Sequence, residues 1–347
     1  MTLGDVWFIL IGVLLAGYAI FDGFDLGVGT LYPFLGKTEE DKAIMRRSIG
    51  PVWDGNEVWL LTGGGALFAA FPPVYATVFS GFYLALMLLL FALILRAAAL
   101  EFRHVDPAWA KVWDISFFVG SALPSVLFGV AVGNIIRGLP LNAAGDMIIG
   151  ERAVFGANLL AAVNPYGLLM GVFSLVWILL HGASWLALKT TGELHERTVR
   201  LRSKLQIAFI VMFAVISAAT ALLVPERFGA AITNPFIWLA AVLVLGGFGW
   251  MVAAGRAGHD RFAFYGSMTA VVGMMTCWAA TIYPNLVPSI GAGESLTVAN
   301  ASSSDLTLTV MLIIAAIGVP LVLYYFFLIY RTYAGRIDAA VIEAEHY

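Results

Sequence analysis

The sequence predicts an all-α polytopic membrane protein, and its composition is the main reason. Of the 347 residues, 61% are hydrophobic and 12% are charged, and the mean hydropathy is +0.90. About a quarter of the residues of an ordinary soluble domain are charged. The chain therefore lacks the charge that the surface of a soluble enzyme of this length needs, and a membrane is its expected environment.

Charge and cysteine content exclude several other classes of protein. The net charge of −3 excludes a protein that binds nucleic acid through bulk positive charge, so we expect no nucleic-acid partner. The single cysteine, Cys277, excludes an internal disulfide framework, a zinc cluster and a self-contained iron–sulfur cluster. We therefore expect no metal site within this chain.

Nine apolar runs have about the 20 residues that a helix needs to cross a ~30 Å hydrocarbon core. Because the connections between them are short, we expect residues 1–347 to form a single integral membrane domain. The predicted spans are residues 6–34, 51–71, 74–95, 115–136, 164–188, 205–224, 235–254, 262–283 and 306–330.

The span at residues 51–71 is the weakest of the nine by hydropathy, because it opens with Asp54, Asn56 and Glu57. We retain it because residues 59–70 are apolar. Without it, the charged loops would also no longer alternate between the two sides of the membrane.

The distribution of basic residues predicts the orientation. Sixteen of the nineteen lysine and arginine residues follow the odd-numbered spans, and the exceptions are Arg137, Arg152 and Arg227. Cytoplasmic loops carry the excess of basic residues in membrane proteins. The N-terminus is therefore expected outside and the C-terminus in the cytoplasm, as an odd number of spans requires.

A faint internal similarity suggests a duplication. The polar cluster of the first span (residues 22–26) and that of the fifth (residues 181–185) follow similar apolar stretches and precede charged loops. The corresponding pseudo-repeat would join residues 1–136 to residues 164–283, with 306–330 as an extra helix. A chain without duplication is an equally open interpretation.

Two acids lie inside the first span. Charged groups at membrane depth are costly and usually face the protein interior. Asp22 and Asp25 are three residues apart and share one helix face. They are candidates for a proton pathway, Asp25 before Asp22, and the alternative is an acid that only hydrogen-bonds a neighbouring helix.

The second span begins with further candidates for the same pathway. Asp54 and Glu57 also lie three residues apart, with Asn56 between them. A series from Asp54 through Glu57 to Asp25 would lead inward from the cytoplasmic side. Asp54 equally suits the first turn of a helix, where an acid complements the helix dipole.

Other polar and aromatic residues are assigned supporting roles. Arg96 and Glu101 close the third predicted span, and we expect an interfacial pair whose long side chains reach the membrane surface, with support of the pathway as the alternative. Trp53 and Trp59 fit an aromatic belt or the lining of a path. His181 is a single intramembrane histidine, whereas a bis-histidine haem needs two.

The residues leave three classes of function open. The first is a subunit of a redox complex that supports a haem-bearing partner and conducts protons. The second is a proton-coupled secondary transporter, although no pair of Gly/Pro-interrupted helices indicates inverted repeats. The third is a purely structural membrane subunit.

Several motifs resemble subunit II of the cytochrome bd-type quinol oxidases, including the cyanide-insensitive variants. The combination of DGFDLGVG with WDGNEVW is specific, and the matches run nearly from end to end. They occur at residues 22–29, 51–59, 64–72, 80–83, 192–195, 283–284 and 302–308.

The resemblance implies a respiratory complex that oxidises quinol and reduces dioxygen to water in a bacterial or archaeal cytoplasmic membrane. It implies two b-type haems and one d-type haem in the partner, subunit I, and none ligated by this chain. It also implies a fold of two four-helix bundles plus one peripheral helix. A structural quinone and a small single-helix accessory subunit are further expected partners, besides membrane lipid.

The resemblance also ranks the candidate residues. Asp25 and Asp54 match family positions that are implicated in bringing cytoplasmic protons toward the haems. The position of Glu57 can hold an amide in relatives, so Asp25 and Asp54 are the first candidates.

Overall fold

The computed structural model describes residues 1–105, 107–147 and 164–338 and folds them mainly into helices. A two-stranded antiparallel pair, β1 (Asn285–Val287) and β2 (Leu296–Thr297), lies between the last long helices. In chain order the helices are α1 (Leu3–Leu35), α2 (Glu39–Ile49), α3 (Trp53–Ala70), α4 (Pro72–Gly81), α5 (Tyr83–Phe102), α6 (Ala110–Arg137), α7 (Pro165–Lys189), α8 (Gly192–Leu223), α9 (Pro225–Thr233), α10 (Pro235–Arg256), α11 (Asp260–Ile282), α12 (Val298–Ala301) and α13 (Asp305–Thr332).

Local capping explains where several helices begin. At α1 the Thr2 side chain accepts a hydrogen bond from the Asp5 backbone N–H, and the Asp5 carboxylate accepts one from the Thr2 backbone N–H. Thr38 and Asp41 form the same reciprocal cap at α2. Such caps satisfy backbone donors that have no partner within the helix.

The all-α membrane fold is confirmed within the described residues. Eight helices there are long and apolar enough to cross a membrane. They are α1, α5, α6, α7, α8, α10, α11 and α13.

Two of the nine predicted spans differ from these helices. The span at residues 51–71 does form a helix, α3, but its polar first turn keeps it out of the set that qualifies by hydropathy. The span at residues 74–95 was placed wrongly. The chain turns at Phe82 between α4 and α5, and the long apolar helix runs from Tyr83 to Phe102.

Helix α1 has the central position. It packs on α3 and α6, and also on α7, which itself packs on α6 and α8. Helix α10 packs mainly on α11, and α5 packs on α6. Helix α13 contacts α1 and α3 and buries few of its residues, namely Leu308 and Phe326. The internal duplication and the orientation stay predictions, and Arg152, one of the expected external basic residues, lies outside the described residues.

Two glycines allow α1 and α7 to meet backbone to backbone. A Cβ on Gly27 would lie 2.3 Å from the Ile178 carbonyl oxygen and 2.7 Å from the Gly182 Cα. A Cβ on Gly182 would in turn lie 2.6 Å from the Gly27 Cα. Small residues permit such close approach of membrane helices, and here no side chain separates the two backbones.

The Gly27→Ala substitution is expected to destabilise the protein by about 1–3 kcal/mol, because backbone atoms cannot move aside as a flexible side chain would. The matched control is Gly12→Ala on the same helix, where an added Cβ meets no atom within 4 Å. Thermal unfolding of the two purified variants in detergent measures the difference. Equal unfolding temperatures would contradict the importance of this crossing.

Candidate functional site

A buried ion cluster joins α1, α3 and α5. The Arg96 Nη2 atom donates to Asp22 Oδ1 at 2.6 Å and also to Glu57 Oε1. The side chains of Arg96 and Asp22 are completely buried, whereas 24% of the Glu57 side chain is exposed. Glu57 therefore connects the buried pair with the surface of the chain.

The expectation that Arg96 forms an interfacial pair with Glu101 was wrong. Helix α5 continues six residues beyond Arg96, a rise of about 9 Å, so the arginine lies within the bundle and not at its end. Glu101 is exposed. On the neighbouring helix α6, a Cβ on Gly120 would lie 2.8 Å from the Arg96 backbone nitrogen, so α6 packs closely against α5 at this point.

Asp25 has its own set of contacts beside this cluster. The Asn56 Nδ2 atom donates to Asp25 Oδ2 at 2.7 Å and to the Phe21 carbonyl at 3.3 Å. The Tyr330 hydroxyl donates to Asn56 Oδ1 at 2.8 Å. Asp25 and Asn56 are completely buried. Residues from α1, α3 and α13 thus meet at one carboxylate.

Several buried polar atoms of this site have no hydrogen-bonding partner among the described residues. They are Asp22 Oδ2, Asp25 Oδ1, and Nε and Nη1 of Arg96. Buried polar atoms are normally paired with protein or with ordered water. Both carboxylates therefore keep an acceptor atom for a further donor.

The structure does not join Asp54 to the buried residues. Asp54 is exposed on α3, one turn before Glu57. Trp53 is half-buried, whereas Trp59 is buried and its ring stacks on Phe21 at 5.6 Å between centroids. The exposed fraction decreases from Asp54 through Glu57 to Asp25, in the order in which the three were expected to act.

His181 forms hydrogen bonds to two neighbouring helices, α1 and α11. Its Nδ1 atom lies 2.8 Å from the Ser267 hydroxyl and its Nε2 atom lies 2.8 Å from the Ile20 carbonyl. Both ring nitrogens are thereby engaged, which leaves neither to bind iron. Within residues 1–105, 107–147 and 164–338, no group of three or more histidine, cysteine, aspartate or glutamate side chains is arranged to hold a metal ion.

A second charged cluster lies where α2 meets the neighbouring helix ends. Asp114 Oδ1 accepts from Arg103 Nε at 2.7 Å, and Asp114 Oδ2 accepts from Lys42 Nζ at 2.9 Å. The Lys42 ammonium also donates to Glu39 at 3.0 Å and lowers the pKa of that carboxyl. These charges compensate one another and anchor α2, so we assign them no part in the candidate site.

Sequence reasoning misplaced one member of the site and missed another. Arg96 was named but was placed at the surface, although the alanines that follow it signal a helix that continues. Tyr330 was not singled out, because a tyrosine near the end of an apolar span is typical of an interfacial residue. Its contact with Asn56 spans 274 positions of sequence, and no local pattern reveals it.

Comparisons with known proteins agree in family and in fold. Residues 3–333 match the family model for cytochrome bd terminal oxidase subunit II. The cytochrome bd-I ubiquinol oxidase subunit 2 of Escherichia coli K12 is 37% identical, over 97% of this chain and 96% of that protein. The cytochrome bd ubiquinol oxidase subunit 2 of Bacillus subtilis 168 is 38% identical, over 93% of each chain.

A solved structure supports the fold alone. The bd oxidase of Geobacillus thermodenitrificans contains a chain that superposes with a TM-score of 0.80 at 15% sequence identity. The superposition covers 96% of this chain and 99% of the other.

Proposed function

Since this chain belongs to the cytochrome bd terminal oxidase subunit II family, we propose that it is the non-haem-ligating subunit of a quinol oxidase in a bacterial cytoplasmic membrane. It serves the enzyme as one subunit of a complex. The reaction would oxidise two quinols for each dioxygen reduced to two waters, with the haems held by a partner subunit I. Family membership favours this function over a proton-coupled transporter.

We propose further that the chain carries cytoplasmic protons toward that partner. The observation that carries this proposal is the excess of acid in the buried site. Asp22 and Glu57 bond to the single Arg96 guanidinium, and beside them, among the described residues, the buried Asp25 accepts a hydrogen bond only from the neutral Asn56 amide. Uncompensated buried charge is costly, and taking up a proton relieves it. A group of this kind is suited to accept and release protons.

The entry of the path would lie at the exposed face of α3. Asp54 and the exposed part of Glu57 are accessible there, and Glu57 bonds to Arg96. Protons would then reach the completely buried Asp22 and Asp25. Trp53 and Trp59 would support the helix that carries this entry.

The contacts of His181 do not favour haem ligation at this residue, because both of its ring nitrogens are engaged in hydrogen bonds. The role proposed for this chain is therefore to stabilise subunit I and to supply protons. A bound structural quinone and a single-helix accessory subunit stay predictions.

Purification tests the assignment. We expect this chain, tagged and solubilised with its membrane neighbours, to co-purify with a longer haem-bearing subunit that shows b-type and d-type absorption bands. The complex should consume oxygen when quinol is added. Isolation as a haem-free complex that moves a solute across vesicles would contradict the proposal.

A further inference from the structure

The last helix, α13, approaches the buried carboxylates through Tyr330, whose hydroxyl donates to Asn56. Most of its surface is exposed, and Phe326 and Tyr330, four residues apart, turn toward α1. Their rings lie 4.9 Å and 5.6 Å from the Phe21 ring. A helix at the edge of the fold thereby places a phenol beside the site.

The Asn56 amide has a defined orientation. Its Nδ2 atom faces two acceptors, Asp25 Oδ2 and the Phe21 carbonyl, and its Oδ1 atom faces the Tyr330 hydroxyl. A flipped amide would point its oxygen at both acceptors, which would oppose lone pair to lone pair. The Tyr330 hydroxyl, which donates to the oxygen, reinforces this orientation from the other side.

Two hydrogen bonds with Lys189 of α7 hold the chain at the C-terminal end of α13, close to this contact. Lys189 Nζ donates to the Tyr333 carbonyl at 2.5 Å, and the Ile337 backbone N–H donates to the Lys189 carbonyl at 2.7 Å. The same end of α13 borders a cleft of about 210 Å³ that Trp185, Lys189 and Tyr330 line. Tyr330 thus lies between this cleft and Asn56.

We propose that Tyr330 is a positioning residue of the proton path, which holds the Asn56 amide so that its N–H group donates to Asp25. The proposal rests on the proton-path function proposed above. It assigns the peripheral helix a part in the chemistry of the site. Without the hydroxyl, the amide would lose one of its three hydrogen bonds, and its donation to Asp25 would be less firmly fixed.

The charged groups that act on Asp25 lie on three helices. Asp22 lies on α1, Glu57 on α3 and Arg96 on α5. His181 on α7 bonds the α1 backbone at Ile20. None of these groups contacts the Tyr330 hydroxyl, so removal of that hydroxyl acts through Asn56.

The test is Tyr330→Phe in the whole oxidase, with Tyr325→Phe, an exposed tyrosine on the same helix, as the matched control. We expect Tyr330→Phe to slow quinol-dependent oxygen consumption by ~2–10-fold, the effect of one hydrogen bond, and to displace the pH profile of turnover. Tyr325→Phe should reproduce the unmodified complex. Haem absorption bands normalise all rates to assembled complex.

The same substitution in an Asn56→Ala complex distinguishes a role of Tyr330 in positioning Asn56 from a role in helix packing. If Tyr330 acts through Asn56, Tyr330→Phe adds no further slowing to an Asn56→Ala complex. An equal slowing in both backgrounds, or turnover and a pH profile like those of the unmodified complex, would overturn the inference. Asp25→Asn separates the two proposals. Full turnover in the Asp25→Asn complex would contradict the proton path itself. Lost turnover in Asp25→Asn together with normal turnover in Tyr330→Phe would contradict only the role of Tyr330.

Discussion

Asp25→Asn is expected to lower quinol-dependent oxygen consumption by ~10²-fold or more, while the complex still assembles with its haems. Asparagine keeps the size of the side chain but cannot take up and release a proton, and loss of a positioned proton carrier typically costs about 10²–10⁴ in rate. Asp25 is completely buried and is held by Asn56. Oxygen consumption and proton uptake by the reconstituted complex measure the loss.

Two comparisons make the Asp25 result specific. Glu101→Gln removes an exposed carboxylate from α5 and should leave turnover unchanged. Asp54→Asn should slow turnover less than Asp25→Asn, because Asp54 is exposed and water can substitute for it. Proton uptake and turnover that survive in Asp25→Asn would show that protons take another route.

Arg96→Leu is expected to prevent accumulation of the folded complex. The substitution leaves Asp22 and Glu57 without their shared guanidinium, and breaking a buried ion pair by removal of one partner costs about 3–5 kcal/mol. That loss is a large part of the 5–15 kcal/mol by which a typical protein is stable. The yield and the unfolding temperature of the purified complex provide the measurement.

The matched control for Arg96 is Arg261→Leu, which removes an exposed arginine from α11. It should leave yield and unfolding temperature near those of the unmodified complex. The additional substitutions Asp22→Asn and Glu57→Gln should restore part of the stability to Arg96→Leu, because they remove the uncompensated charges. An Arg96→Leu complex with unchanged stability would contradict the ion cluster.

Sequence reasoning recovered the parts of the fold that depend on local hydropathy. Seven predicted spans coincide with long apolar helices, and the polar start of residues 51–71 correctly marked that segment as different. The turn at Phe82 was missed because Gly81 and Phe82 interrupt an apolar run without changing its hydropathy. A boundary of that kind depends on tertiary packing.

The candidate site was also predicted only in part, because its residues are visible in the sequence but their contacts depend on tertiary packing. Acids inside an apolar helix are conspicuous in a sequence, so Asp22, Asp25 and Glu57 could be named in advance. Their partners depend on how helices that are distant in sequence pack together. The bond from Arg96 to Asp22 spans 74 positions, and the bond from Tyr330 to Asn56 spans 274.

The close crossing of α1 and α7 also restricts the kind of motion that the protein can use. With Gly27 and Gly182 in backbone contact, neither helix can slide or roll past the other without a clash of main-chain atoms. A rocking motion that opens first one side of the membrane and then the other would have to separate this contact. Turnover is therefore expected to proceed on a rigid frame, in which side chains and water rearrange while the helices stay in place.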